Sequence, residues 1–110
     1  MATAQTNGHV LHVDQTQFNQ VVLQSDVPVL VDFYADWCGP CRALAPALKE
    51  LAKEVPDAKV VKVNVDDNQE LAVRYRINAI PALMVFNGGR ITAQHAGLAN
   101  VSQLKAMLAQ

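Results

Sequence analysis

What this chain lacks narrows it first. Its 110 residues hold two cysteines, three apart, too few and too close to staple a fold. In a reducing compartment such a pair is more often chemical than structural. Nine basic residues face ten acidic ones with no basic run, so there is no electrostatic footprint for nucleic acid. Partners are therefore expected to meet a neutral or apolar surface. No apolar stretch approaches the length that spans a bilayer, which argues against membrane insertion. The opening "MATAQTNG" has neither the charged region nor the apolar core of a secretory signal, and it lacks the arginines of a transit peptide. It reads as a short flexible tail, residues 1–8, on a cytosolic protein. Repeats, linkers and low-complexity segments are missing too, so residues 9–110 are expected to form one domain.

Half of the residues are apolar, enough for an ordinary globular core. "HVLHV" (9–13) suits a first strand. Asp14 is a plausible N-cap for an amphipathic helix over "QTQFNQVVLQS", with Phe18, Val21 and Val22 at helical spacing. "VPVLVDFYA" (27–35) is a continuous apolar strand of the kind covered on both faces. Residues 40–55 read as a helix with Cys41, Leu44, Leu48, Leu51 and Val55 on one stripe, and Pro46 is expected to kink it. A third strand follows at 58–66. Asp67 and Glu70 resemble a capping box opening a short helix that ends near Tyr75. "PALMVF" (81–86), the turn "NGG" and "RITAQHA" form a hairpin that Gly97 ends. Asn100, with Gln103 three later, opens a last helix whose Val101, Leu104, Met107 and Leu108 face inward. The order is βαβαβαββα, with parallel crossovers early and an antiparallel hairpin late. A mixed sheet between helices is the expected α/β architecture.

Cys38-Gly39-Pro40-Cys41 falls where a strand hands over to a helix. Cys38 at the helix N-terminus would feel unpaired backbone N–H groups and the positive end of the helix dipole, which favour its thiolate. Pro40 suits the first helical turn, where its missing N–H costs nothing. Cys41 falls on the core-facing stripe, so the thiols are close enough to bridge but unequal in exposure. A zinc site would need two further ligands, and His9, His12 and His95 have no ligand spacing. A purely structural disulfide would close too short a loop to remove much chain entropy. Redox chemistry is the favoured reading over zinc, a structural bridge or an inert core pair.

"VDFYADWCGPCRALAP", "INAIPAL", "FNGG" and "HAGL" resemble the thioredoxin family, in order and spacing, from about His9 to the C-terminus. The Trp-Cys-Gly-Pro-Cys core is its most specific part; related oxidising domains usually carry a histidine between the cysteines. The resemblance implies a thioredoxin fold with a central five-stranded mixed sheet and four helices. It also implies a monomeric reductant of protein disulfides that binds no cofactor and no metal and works through a Cys38–Cys41 disulfide. Cys38 would be the nucleophile and Cys41 the resolving thiol. A thioredoxin reductase using NADPH and FAD, or in some lineages ferredoxin, would recharge it; the chain has no glycine-rich dinucleotide fingerprint of its own. Targets would be disulfide-containing proteins such as reductive enzymes and peroxidases.

The same resemblance places Trp37 beside the cysteines, with Gly39 and Pro40, and makes Pro81 a cis proline facing them. Ile80 would then offer its backbone to an extended substrate peptide, and Gly97 would leave room for that peptide. Ala82, Ala96 and Tyr34 depart from commoner residues, a threonine, a larger aliphatic and a tryptophan. A shallower groove rim and a different partner preference follow. The less favoured alternative for Trp37 is an ordinary core aromatic.

Asp32 interrupts the most apolar strand and shares a face with Leu30 and Tyr34. Burial there would raise its pKa. It is either an acid satisfied by hydrogen bonds or reached by water near a strand end, or a general base that accepts the Cys41 proton. Lys62 interrupts "VVKVNV" and either modulates Asp32, as the family suggests, or snorkels to solvent. Arg74, Arg76 and the Asp66–Asp67 pair read as surface and capping residues, and the three histidines carry no assigned role. A dedicated electron donor, an oxidase or isomerase, and a non-catalytic binding module are the competing functions. The intact cysteines, Asp32 and Ile80–Pro81 argue against the last.

Overall fold

The computed structural model describes residues 8–110. Most of the expected tail, residues 1–7, lies outside them. Five strands form one sheet: β1 (Leu11–His12), β2 (Val29–Tyr34), β3 (Lys59–Asn64), β4 (Ala82–Asn87) and β5 (Arg90–Ala96). Their spatial order is β1-β3-β2-β4-β5. β1 and β2 run parallel to β3, while β2–β4 and β4–β5 are antiparallel. The sheet is therefore mixed, with β2 at its centre.

That position explains why β2 reads as an unbroken apolar run. Val29, Val31 and Phe33 face a layer built from Phe18, Val22, Leu71, Met84 and Phe86. Leu30 faces the other layer, with Leu44, Leu48, Leu51, Val60, Leu83 and Leu104. Each fully buried aliphatic side chain contributes roughly 1.5–3 kcal/mol relative to exposure. The second layer is supplied by α1 (Gly39–Glu54) and α3 (Val101–Leu108). The first lies against a helical turn at Asn19–Leu23 and α2 (Gln69–Arg74).

The elements follow their local signals with two exceptions. The expected amphipathic helix after Asp14 is one π turn, in which Gln24 N–H donates to Asn19 C=O. Asp14 does cap the turn before it, accepting from Thr16 and Gln17 N–H at 2.9 and 3.2 Å. The wide turn still buries Phe18 and Val22. The buried Lys59 ammonium donates to the Val21 carbonyl at 3.0 Å, so a tertiary contact occupies a helix-end carbonyl and competes with a longer helix. The second exception is the start of α2: its N-cap is Asn68, and no Asp67–Glu70 capping box forms. Asn68 is buried instead, receiving Gln15 N–H at 2.8 Å and donating to Asn64 C=O at 2.9 Å. It staples the loop after β1 to the loop after β3.

Elsewhere the agreement is close. Gly88 and Gly89 both take positive φ in the two-residue hairpin loop between the paired Asn87 and Arg90. Asn100 and Gln103 form the full capping box of α3. α1 continues through Pro46.

Candidate active site

The site is set by the junction between β2 and α1. Cys38 is the N-cap of α1 in extended conformation, and its Sγ accepts the Cys41 N–H at 3.2 Å. Pro40 occupies the first turn as expected. The positive end of the helix therefore points at the sulfur, which favours a thiolate once the pair is reduced. Here Cys38 and Cys41 form a disulfide, with Cα atoms 5.2 Å apart.

The expected contrast in exposure is small in this oxidised form: Cys38 is 4% exposed and Cys41 1%. Ala35 forms one small buried cluster with the pair, and Tyr34, Val65 and Ile80 pack against that cluster. Gly39, Pro40 and Trp37 form the exposed rim. Trp37 is not a core aromatic; it is 69% exposed, and its indole N–H donates to Asp66 at 2.9 Å. Asp66 thereby has a positioning contact that sequence reading, which treated it as surface and capping, had not given it. The adjacent acids and the distance of 29 residues in sequence offered no signal for it.

The Ile80–Pro81 bond is cis, and the Ile80 carbonyl oxygen lies 3.9 Å from Cys38 Sγ. Gly97 N–H donates to the Pro81 carbonyl at 2.9 Å, which brings the end of β5 to the same place. Gly97 has φ of 92°, and a Cβ added there would meet nothing within 4 Å. Its lack of a side chain thus suits both its backbone conformation and the open space above it. Ala82 and Ala96 are cross-strand partners lining an open pocket of about 300 Å³ with Tyr75, Ile77 and His95.

Asp32 is fully buried on the α1 face of β2, and neither carboxylate oxygen has a hydrogen-bond partner. Burial pushes its pKa up to about 7, partly offset by the positive charge of Lys62. Among the described residues no protein group hydrogen-bonds the carboxylate, which leaves an acid reached by water or a general base. Lys62 is the register partner of Asp32 on β3, opposite Leu83 on β4. Its ammonium, however, lies over the Tyr34 ring, 4.2 Å from the centroid. Cys38, Cys41, Ile80, Pro81 and Gly97 thus come together just beneath the exposed rim that includes Trp37, while Asp32 and Lys62 lie in the sheet. Among the described residues, no group of three or more His, Cys, Asp or Glu could hold a metal ion.

A dithiol at a helix N-terminus, beside a cis-proline loop on a mixed α/β sheet, defines a thiol–disulfide oxidoreductase. The thioredoxin family model matches residues 9–110, and the chain belongs to that family. It is 44% identical to a thioredoxin of Pseudomonas aeruginosa over 101 residues, 91% of this chain and 94% of that one. A thioredoxin of Haemophilus influenzae is 42% identical over 92% of this chain and 95% of its own. A solved mutant thioredoxin from Halobacterium salinarum superposes with a TM-score of 0.85 at 40% identity, covering 97% of this chain and 93% of that one. The chain is a protein-disulfide reductase whose redox pair is Cys38 and Cys41.

Proposed function

We propose that Cys38 is the attacking thiol, Cys41 the resolving thiol and Asp32 the proton acceptor between them. The carrying observation is the placement of Cys38 Sγ at the start of α1 and beside the Ile80 carbonyl. In the reduced protein the Cys38 thiolate attacks one sulfur of a target disulfide. That bond breaks, the target's other sulfur leaves as a thiolate, and it takes a proton from water. Cys41 then gives its proton to Asp32 and attacks Cys38 Sγ. The Cys38–Cys41 bond forms, the second target thiolate leaves, and two electrons have passed to the target.

Each neighbouring residue has a part in this scheme. Among the described residues the Ile80 amide and carbonyl have no backbone hydrogen-bond partner, so an extended target segment can pair with them. Exposed Trp37, Gly39 and Pro40 and half-buried Gly97 form the rest of that docking surface, with the buried Pro81 beside Ile80. Asp32 suits a base because, with its pKa near 7, it both accepts and returns a proton at neutral pH. Lys62 tunes that acidity by its charge.

A partner flavoprotein reductase drawing on NADPH, or a ferredoxin-linked one, regenerates the dithiol. Targets are disulfide-containing reductive enzymes and peroxidases, met by a cytoplasmic monomer. No helix among the described residues is long and apolar enough to cross a membrane.

Disulfide trapping tests the assignment. Cys41→Ser keeps the attacking thiol and removes resolution, so targets should accumulate as mixed disulfides on Cys38. Cys38→Ser should trap none. Equal, empty results from both variants would favour a binding module instead.

A further inference from the structure

Lys62 is the cation nearest in register to Asp32, yet it makes no ion pair with it. Among the described residues the salt bridge is Lys105–Glu54, and both Asp32 oxygens are unpartnered. The ammonium sits instead over the face of Tyr34. The Tyr34 ring is also met by His12, ring against ring at 6.2 Å and 77°, with Nδ1 3.5 Å from the hydroxyl. His12, Tyr34 and Lys62 line one open pocket of about 480 Å³ with Asn64 and Asp67, at the carboxyl ends of the parallel strands.

We propose that Tyr34 is a positioning residue: its ring, braced by His12, holds the Lys62 ammonium at this pocket and away from the buried Asp32 carboxylate. The functional consequence rests on Asp32 acting as the proton acceptor.

The surroundings of Asp32 give one ammonium this leverage. β4 contributes Leu83 beside it, and α1 covers the face with Cys41, Leu44 and Leu48. Among the described residues Lys62 is the cation acting on the carboxylate, so its position sets how far burial is offset. The aromatic face attracts the ammonium through its quadrupole. Tyr34 stays neutral in this role, because burial first and then the charges of Asp36, Asp32 and Asp67 raise its hydroxyl pKa. Asn64 partly counters them. A ring without the hydroxyl would hold the ammonium equally well and would lose only the contact between the hydroxyl and His12 Nδ1.

Five variants decide the matter: Tyr34→Leu, Tyr34→Phe, Lys62→Met, the Tyr34→Leu/Lys62→Met double and His12→Ala. Asp32 titration is read directly from its carboxyl carbon by NMR on the reduced protein. Tyr34→Leu should release the ammonium toward the carboxylate and lower the Asp32 midpoint by about 0.5 unit, the scale of an exposed cation–π contact. Tyr34→Phe should restore most of the parent midpoint. In the Lys62→Met background, Tyr34→Leu should produce no shift. His12→Ala, which removes the brace from an exposed position but keeps the ring, should give a smaller shift of the same sign.

An unchanged or raised midpoint in Tyr34→Leu would overturn the proposal, as would an equal shift with and without Lys62. The pH dependence of target release is measured in parallel. If the midpoint moves as expected while release ignores it, the positioning role stands and the proton-acceptor reading falls.

Discussion

The indole N–H of Trp37 donates to Asp66 at 2.9 Å from a ring that is 69% exposed. A large apolar surface is thereby held still beside Cys38 by a residue from the loop after β3. Holding it in place beforehand reduces the ordering cost of docking a target. Asp66→Ala should free the ring. Trp37 is the single tryptophan, so its fluorescence anisotropy reports the change directly and should fall. KM for a protein disulfide should rise about two- to fivefold, the scale of ordering one side chain on binding. Fold stability should move by no more than about 0.5 kcal/mol, as for other surface changes. Unchanged anisotropy would mean that something other than Asp66 holds the indole.

Asp32 makes the fold pH-dependent in a defined direction. Unfolded, it releases its proton near 3.8; folded, it holds it to about 7. Between those values the native state binds more protons, so its stabilising effect is complete below about pH 4 and is lost as pH rises to about 7. The full span corresponds to roughly 4 kcal/mol. Asp32→Asn should abolish this slope and stabilise the fold at neutral pH. The gain should be only about 1–3 kcal/mol, because an unpartnered buried amide has its own cost. Release of reduced target should slow at the same time. Urea unfolding at pH 5 and pH 8, with single-turnover kinetics, measures both; equal stability and equal turnover would refute the assignment.

The hairpin loop separates two glycines that look equivalent in sequence. Gly88 has φ of 60° and open space where a Cβ would go, whereas Gly89 has φ of 79° and a Cβ there would meet the Leu23 carbonyl oxygen at 3.0 Å. Gly88→Asn should be nearly neutral, since asparagine tolerates this region. Gly89→Ala should cost more than about 1 kcal/mol, through both the backbone and the contact. Urea midpoints of the two variants should differ in that order, and equal midpoints would exclude the Leu23 contact as the cause.

The legibility of the sequence follows how local each determinant is. β2 could be read because burial on both faces leaves an apolar run, and α3 because its capping box lies within four residues. Cys38 could be placed at a helix start because the strand, proline and core stripe occur within one short segment. Trp37–Asp66 and Lys59–Val21 join residues 29 and 38 apart, and local spacing carries no trace of them. Lys62 was read as a modulator of Asp32, but which partner its ammonium takes depends on the Tyr34 ring across the sheet.

Asn68 is the clearest case of a determinant hidden in this way, and it gives a sharp test. A capping-box reading assigned this stretch to Asp67 and Glu70, while the structure uses Asn68 to receive Gln15 N–H and donate to Asn64 C=O. The residue is buried, so removing its amide leaves both backbone groups without that partner. Asn68→Ala should therefore cost about 1–3 kcal/mol in urea unfolding. Asn68→Asp keeps the acceptor toward Gln15 but sets a carboxylate against the Asn64 carbonyl in a buried position, so it should be no better than alanine. Amide hydrogen exchange should quicken at Gln15 in Asn68→Ala, because its N–H loses its acceptor. Disulfide reduction by the folded fraction should stay within about twofold of the parent, since Asn68 touches neither cysteine; this factor corresponds to a surface-scale change in free energy. A much larger loss of turnover with unchanged stability would assign Asn68 to the active site rather than to the fold.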